Sequence, residues 1–396
     1  MDVLQNLTVL SLEQALTLPY LTYRLAQEGM EVIRLEHPKH ADPNRRVGQN
    51  LLNEDQMYSY YLTINSGKKA LTLNLAEEEG QNILYSLIKE LNVDIFATNQ
   101  LPRNYKKLGI DYETLRSIKP DLIWLGVSGF GPQHNEAAYD PILQARSGLM
   151  DLTGERDGDP QVLGVPLPDM GTSEHSYGLI MKSLFIREKT GQGSCLHMSM
   201  FESSVSWLTV PITIYTNTGI FSTRRGNTHE FFCPVSVYKT QDGYVYLAIG
   251  NNRQWKSLVS QEAFQSLDKP EYEYNEGRIN DVERLNQAIN EITQEYPSEE
   301  LISMLNSLTI PISKIRNISE VKEDPLLRNK FLSAEDHKTG KTLTLAPPPY
   351  ITPFMEQKEH KLSFPPRLGE HNQDFLCGSL GYSQNDLRAL QQKEII

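Results

Sequence analysis

Asp169 stands in the run Gly164-Val-Pro-Leu-Pro-Asp-Met-Gly171, and its surroundings point to chemistry more than those of any other residue. Upstream, the apolar run Asp121-Leu-Ile-Trp-Leu-Gly-Val127 reads as a buried strand that empties into the turn Ser128-Gly-Phe-Gly-Pro132. A strand end of this kind opens onto a pocket. Downstream, Leu179, Ile180, Leu184 and Phe185 keep helical spacing over residues 172–187, so Asp169 falls at or just before a helix start. An aspartate there can cap the helix by accepting hydrogen bonds from first-turn amides. The same amides and dipole favour a carboxylate by about 0.3–1 kcal/mol, which keeps it ionised at neutral pH, and an ionised carboxylate can attack an activated acyl group. The small neighbours Gly171, Thr172 and Ser173 suit either the approach of a bulky substrate or close helix packing. From this stretch alone both alternatives stay open.

Other chemistries lack their residues. There is no G-x-x-x-x-G-K-[ST], and Gly126, Gly129 and Gly131 have the wrong spacing for a dinucleotide fingerprint. No G-x-S-x-G elbow is present. The nine histidines are scattered without H-E-x-x-H, so no metal site is expected, and His175 and His197 read as structural.

The elements that must hold Asp169 alternate strand and helix. Strands are expected at 7–12, 31–36, 70–75 and 93–97, and helices at 19–28, 77–91 and 112–118. This predicts an α/β fold: a large Rossmann-like lobe with a parallel sheet, its ligands at the carboxyl ends of the strands. From Phe231 the texture changes. A hairpin signal at Gln241-Asp242-Gly243 and polar helices follow, which reads as a smaller α+β lobe. The expected division is a large lobe at 1–202, a linker at 203–230, the small lobe at 231–349 and a carboxy-terminal return segment at 350–396 that packs on the large lobe, with a last helix at 373–380.

With 396 residues the chain exceeds what one core usually holds, about 250–300 residues. The 38 basic and 50 acidic residues give a net charge of -12, which excludes a nucleic-acid partner held by bulk electrostatics. A mean hydropathy of -0.44 and the lack of any long apolar run exclude a membrane span. Cys195, Cys233 and Cys377 are far apart and odd in number, so a reducing, cytoplasmic setting is expected.

Several blocks together resemble the family III CoA-transferases, the CaiB/BaiF group that includes formyl-CoA transferase, carnitine CoA-transferase and the acyl-CoA racemases. They are Glu31-Val-Ile-Arg-Leu-Glu-His-Pro38, Asn65-Ser-Gly-Lys-Lys-Ala-Leu-Thr-Leu-Asn-Leu75, Val127-Ser-Gly-Phe-Gly-Pro132, Tyr139-Asp140, Ser147-Gly-Leu-Met150, Gly191-Gln-Gly-Ser194 and Leu368-Gly-Glu-His371. Each is weak alone, but their shared order spans almost the whole chain. Asp169 matches the position of the family's catalytic aspartate.

The resemblance implies a transferase that moves CoA from an acyl-CoA donor to a carboxylic acid acceptor through an aspartyl-CoA thioester on Asp169. Acyl-CoA and a small acid are its substrates, with no permanently bound cofactor. The CoA pocket carries over to Leu16, Thr17, His37, Leu73, Asn99, Gln100, Lys107, Tyr139 and Asp140. The family often has arginine at the positions of His37 and Lys107 and Asn-Phe at Asn99-Gln100, and a lysine gives a point charge where arginine gives a planar fork. Oxyanion donors are expected from Ser128–Gly131 or from the hairpin of the small lobe. Two alternatives accompany this reading. A racemase of the same fold carries His-Asp where this chain has Tyr139-Asp140, and a phenol of pKa near 10 is a poor base. A non-catalytic acyl-CoA binder would have no use for Asp169. The resemblance further implies a homodimer of interlocked rings. For the phosphates of CoA, two basic groups are expected to converge: His37, Lys39, Arg45 and Arg46 after the second strand, and Arg103, Lys106 and Lys107 after the fourth.

Overall fold

In the computed structural model, which describes residues 3–396, the alternation is realised as β1 (Thr8–Leu12), α1 (Thr17–Gln27), β2 (Glu31–Glu36), α2 (Ser59–Leu62), β3 (Lys68–Thr72), α3 (Glu78–Glu90), β4 (Ile95–Thr98), α4 (Tyr112–Ile118), β5 (Ile123–Ser128), α5 (Asp140–Ser147), α6 (Leu167–Thr190) and β6 (Ser194–Ser199). The strands form one six-stranded sheet in the order β3-β2-β1-β4-β5-β6, and every pairing in it is parallel. This is the doubly wound order, whose direction of winding reverses between β1 and β4.

Successive strand residues supply opposite faces. On one face Leu10, Phe96 and Trp124 pack with Ile83, Leu84 and Leu87 of α3 and Leu115 of α4. On the other, Val9, Ile95 and Leu125 pack with Leu18, Leu21 and Leu25 of α1 and Ile180 of α6. Burying each such side chain stabilises the fold by about 1.5–3 kcal/mol, which is why strands covered on both faces read as continuous apolar runs.

The strand β3 starts two residues before the alternating run because Lys68 is fully buried yet satisfied. Its ammonium donates to Glu13 Oε1 at 2.9 Å, to the Pro19 carbonyl at 2.8 Å and to Asn65 Oδ1 at 2.8 Å. It belongs to a buried charge network at the carboxyl ends of β1 and β2. Arg34 meets Glu36 at 3.1 Å and Asp42 at 3.0 Å, while Arg45 donates to Glu36 Oε1 at 2.8 Å and to the Tyr61 hydroxyl at 2.8 Å. Burial alone raises the Glu36 carboxyl, but Arg34 and Arg45 outweigh it and hold it down at about 2.

The chain continues through α7 (Met200–Ser206) and α8 (Thr209–Thr218), so the first half of the stretch expected as a linker at 203–230 is largely helical. The contacts then divide the chain into two compact units. The larger comprises the chain up to Gly148, Leu163–Asn217 and Leu327–Ile396; the smaller comprises Leu149–Val162 and Thr218–Leu326. The smaller unit holds β7 (Val235–Thr240), β8 (Gly243–Ala248), α9 (Asn252–Val259), α10 (Asn275–Asn280), α11 (Val282–Thr293), α12 (Ser298–Ser307), β9 (Ile312–Lys314) and α13 (Ile318–Lys322). The hairpin signal becomes an antiparallel β7–β8 pair around Gln241 and Asp242. Asp242 Oδ1 accepts from the Ser298 amide at 2.8 Å and so fixes the start of α12.

Back in the larger unit, β10 (Leu332–Glu335), β11 (Thr342–Leu345), α14 (Pro353–Gln357) and β12 (Lys361–Ser363) precede α15 (Gln384–Gln392). Residues 327–349, expected in the small lobe, therefore group with the larger unit. The return segment closes the β3 edge: the His371 amide donates to the Ala70 carbonyl at 3.0 Å, and Asn372 Oδ1 accepts from the Thr72 amide at 2.9 Å. The expected last helix is a π-helical stretch, Asp374–Ser379, and α15 follows it with a Ser383–Asp386 capping box.

The charge network should be the most fragile part of the larger unit. Removing the cation in Arg34→Met leaves Asp42 buried without its partner, which should destabilise the protein by about 3–5 kcal/mol. Urea unfolding followed by tryptophan fluorescence checks this, and a midpoint unchanged within error would contradict it.

Candidate active site

At the β1/β4 reversal the sheet edge cannot be bridged by one crossover, and a crevice remains where the two strands end. The crevice is a cavity of about 290 Å³ bordered by Gln14 and Ala15 after β1, Asn99 and Gln100 after β4, Ser128 and Gly129 after β5, and Asp169.

Asp169 is the third residue of the 24-residue α6, inside its first turn, and it does not cap the helix. Its Oδ1 accepts a hydrogen bond from the Thr17 hydroxyl at the start of α1. Among the described residues its Oδ2 accepts none. The Asp169 amide donates to Asp140 Oδ2 at 3.2 Å, so it is Asp140 that serves the α6 N-terminus. Asp140 is 7% exposed, and its Oδ1 accepts from Gln144 at 2.5 Å. Gln144 in turn accepts from the Leu163 amide at 2.9 Å, which ties α5 to the segment leading into α6. Burial pushes the Asp169 carboxyl up to about 6, with Asp140 adding to the rise and the Thr17 hydrogen bond opposing it. The dipole argument from sequence pointed to a carboxylate ionised at neutral pH; the site still meets that condition, but with a far more basic group than a surface aspartate.

The small residues of α6 prove to be packing residues. Thr172, Ser173 and Ser176 are buried, and Ser173 donates to the Thr17 carbonyl at 2.6 Å, locking α6 onto α1. A Cβ on Gly171 would meet the Trp207 indole nitrogen at 3.0 Å. A Cβ on Gly129 would lie 2.5 Å from that of Ala138, so this glycine lets the segment before α5 close over the cavity. His175 stacks on Trp207 with ring centroids 4.9 Å apart and contacts Ser203 Oγ at 2.7 Å, a structural setting.

The loop between β1 and α1 is unusually constrained. Ala15 adopts φ +65°, in the left-handed region that a side chain disfavours. Its amide donates to Asp42 Oδ1 at 3.2 Å and its carbonyl accepts from Asn44 at 2.8 Å. Asn99 clamps the preceding residue, accepting from the Gln14 amide at 3.1 Å and donating to its carbonyl at 2.8 Å.

Of the residues expected from sequence, the structure brings Thr17, Asn99, Gln100, Tyr139, Asp140 and Asp169 to this cavity. Tyr139 is 74% exposed at the start of α5, so it is not a core tyrosine. Four others lie elsewhere. Leu16 caps α1 through its carbonyl, and Leu73 is buried in the core beneath α3. Lys107 is exposed away from the cavity. The His37 ring accepts from the Lys39 and His40 amides at 3.0 and 3.1 Å, and burial, then His40, lowers its pKa, so it offers no positive charge there. The expected convergence of two basic groups also fails in part. Arg45 is 1% exposed and bound to Glu36, so it cannot reach a phosphate, while Arg46 pairs with Asp55 at 2.7 Å. Arg103, Lys106 and Lys107 carry no ion pair among the described residues. Gln14 and Ser128, at the strand ends after β1 and β5 where ligands are expected, do border the cavity. Met200 on the cavity wall, and Tyr60, whose phenol is raised by burial and then by Asp169 and Asp140, had no signal in the sequence.

A doubly wound sheet whose reversal point opens on a partly buried carboxylate defines an α/β protein with the crevice and the reactive group of an enzyme. The chain belongs to CoA-transferase family III, whose family model matches residues 4–372. It is a transferase that moves CoA between an acyl-CoA and a carboxylic acid. It is 29% identical over 397 residues to the succinyl-CoA:glutarate CoA-transferase of Mus musculus, covering 98% of this chain and 89% of that one. It is 30% identical over 353 residues to the succinyl-CoA:mesaconate CoA-transferase of Haloarcula marismortui, covering 86% and 87%. Among solved structures it is similar to a CaiB/BaiF family protein from Brucella suis, with a TM-score of 0.79, 28% identity, and coverage of 93% of this chain and 97% of that one.

The electrostatics predict a titration. Because the Asp140 charge raises the Asp169 carboxyl, Asp140→Asn should move it below about 6. A carbon-13 NMR titration of labelled aspartate reads the shift; an unmoved or higher midpoint would show that Asp140 does not act through its charge.

Proposed function

We propose that this enzyme transfers CoA from succinyl-CoA to a small dicarboxylic acid with Asp169 as the covalent relay. The observation that carries the reading is the Asp169 carboxylate at the cavity, one oxygen held and the other open. The dicarboxylate class rests on the names of the mouse and Haloarcula relatives. The cavity wall offers the side-chain amides of Gln14 and Gln100 and the Ser128 hydroxyl as hydrogen-bonding partners for an acyl chain with a polar end.

Asp169 attacks the thioester carbonyl, the C–S bond breaks and CoA leaves as the thiolate, giving a mixed anhydride. The thiolate then attacks the Asp169 carboxyl carbon and expels the donor acid, leaving an aspartyl-CoA thioester. The acceptor carboxylate reverses these steps. The thioester's energy thus passes between carboxylates and is not lost to water. The glycine-rich turn 128–131, whose Ser128 and Gly129 border the cavity, is the proposed source of amides for the oxyanion at the acyl carbon. Arg103, Lys106 and Lys107, which follow β4 and carry no ion pair among the described residues, are the proposed phosphate contacts, in place of Arg45. A charge-assisted contact of this kind contributes on the order of 1.5–3 kcal/mol to binding at most, less where it stays exposed to solvent. The racemase alternative is not favoured, since the exposed Tyr139 stands where the racemases carry histidine, and a phenol of pKa near 10 is a poor base.

The same reading makes the protein a cytoplasmic homodimer of interlocked chains. Its three cysteines are free thiols, and Trp207 just after α7 and Val210 on α8 leave large apolar side chains exposed, which supports a covering partner. No helix among the described residues is long and apolar enough to cross a membrane. Size-exclusion chromatography at nanomolar protein should return a dimer, and a native monomer peak would contradict the interlocked arrangement.

Two outcomes test the relay. Protein turning over succinyl-CoA and treated with hydroxylamine should carry a hydroxamate on the peptide containing Asp169, and Asp169→Asn should abolish both label and turnover. The pH dependence follows from the raised carboxyl. kcat/KM should fall toward tenfold per unit below about pH 6, as Asp169 protonates. Its folded pKa lies above the unfolded value of about 3.9, so ionisation costs stability, and stability declines as pH rises from there through about 6. Asp169→Asn should therefore raise the thermal midpoint at pH 8 while removing activity. An acid limb centred near pH 4, or a lowered midpoint, would show that the carboxyl is not held as described.

A further inference from the structure

The two oxygens of Asp169 are not equivalent. Oδ1 is engaged by the hydroxyl of Thr17, a residue 5% exposed and fixed at the first position of α1, with Ser173 on its carbonyl at 2.6 Å and Met200 Sδ at 3.7 Å from its hydroxyl. Oδ2 has no hydrogen bond among the described residues. With its backbone tied to Ser173 and its side chain buried, Thr17 presents its hydroxyl to one oxygen position of the carboxylate only.

We infer that Thr17 is a catalytic residue that divides the labour of the two oxygens: Oδ2 is always the attacking and departing oxygen, and Oδ1 is always the oxygen on which negative charge collects, with the Thr17 hydroxyl as its donor. The inference rests on the relay role of Asp169. When Oδ2 attacks the acyl carbon, Oδ1 becomes the carbonyl oxygen of the anhydride. When the CoA thiolate attacks the Asp169 carboxyl carbon, the C=O electron pair moves onto Oδ1. It returns as the bond from that carbon to Oδ2 breaks, and Oδ2 leaves with the donor acid. The aspartyl-CoA thioester retains Oδ1 alone. Attack by the acceptor carboxylate places charge on Oδ1 again and expels the thiolate, and one acceptor oxygen remains on Asp169 as the new Oδ2 when the thiolate takes the acceptor acyl group. Both tetrahedral intermediates at the Asp169 carbon thus form their oxyanion against Thr17. Developing charge is where a preorganised donor stabilises most.

Oxygen-18 decides this without any variant. The enzyme is cycled with succinyl-CoA and oxygen-18 succinate, or, if succinyl-CoA is refused, with an acyl-CoA that does turn over and its own labelled acid. It is then digested and the Asp169 peptide weighed. Thr17 in this role admits one labelled oxygen, however many turnovers pass. In Thr17→Val, which keeps the side-chain shape but has no donor, the carboxylate can flip between turnovers and both oxygens should label. kcat should fall on the order of 10²–10³-fold, as for loss of one oxyanion donor, and Thr17→Ser should restore both the rate and the single label. Two labelled oxygens in the wild type, or a Thr17→Val kcat within about threefold of it, overturns the role of Thr17 and leaves the relay intact. No label on a turning-over wild type overturns the relay, and this inference with it.

Discussion

The ion pair between Arg34 and Asp42 is the constraint on which the site depends. Arg34 is buried inside β2, and its guanidinium holds one oxygen of Asp42 at 3.0 Å. The other oxygen of Asp42 accepts from the Ala15 and Asn44 amides at 3.2 and 3.0 Å. Through these bonds a charge in the sheet fixes a backbone in the left-handed region, at a conformational cost of roughly 1–3 kcal/mol. The turn so produced aims α1 and delivers Thr17 to Asp169. Such networks are poor sources of stability, since desolvating each ion costs several kcal/mol. Here Glu13, Glu36, Arg45 and Lys68 complete the compensation, and the return is geometric: one loop conformation in place of several.

The fold was legible where periodicity and burial agree. Strand β2 and helix α4 fall at the residues expected, and α3 within one, because an apolar stripe with an acidic first turn leaves little freedom. It was not legible where a polar side chain is buried by long-range partners. Lys68 reads as a strand boundary until Glu13, 55 residues away, supplies its counter-charge. Helix α15 escaped because its buried face is only Leu387 and Leu390, and its capping box is a signal carried by two polar residues.

The site was legible as a location and only partly as a set of roles. Strand ends at a winding reversal are set by topology, so Asn99, Gln100, Tyr139 and Asp140 are found at the cavity where the resemblance placed them. What a side chain does there depends on partners distant in the chain. Arg45 looked like a free cation in a polar loop, yet Glu36 and the Pro366 carbonyl take its donors. Asn99 looked like a ligand residue, and its amide group is engaged with the Gln14 backbone on both sides. Small residues beside Asp169 fitted substrate access equally well, until α1 proved to occupy that face.

The basicity of Asp169 is then the balance of three neighbours acting through different physics. Burial and the Asp140 charge disfavour the anion, and the Thr17 hydroxyl favours it. The relay between carboxylates proposed for Asp169 would need this compromise. A carboxylate deeply stabilised by hydrogen bonds would be a weak nucleophile toward a thioester, and one raised much further would be protonated at neutral pH. Among the described residues the stabilising donor reaches only one oxygen, which resolves the conflict geometrically: the held oxygen keeps the group oriented and mostly ionised above about pH 6, while the other retains the basicity that the proposed attack would require. Asp140 contributes on both counts, since the same carboxylate that raises its neighbour also receives the Asp169 amide and fixes where the first turn of α6 begins.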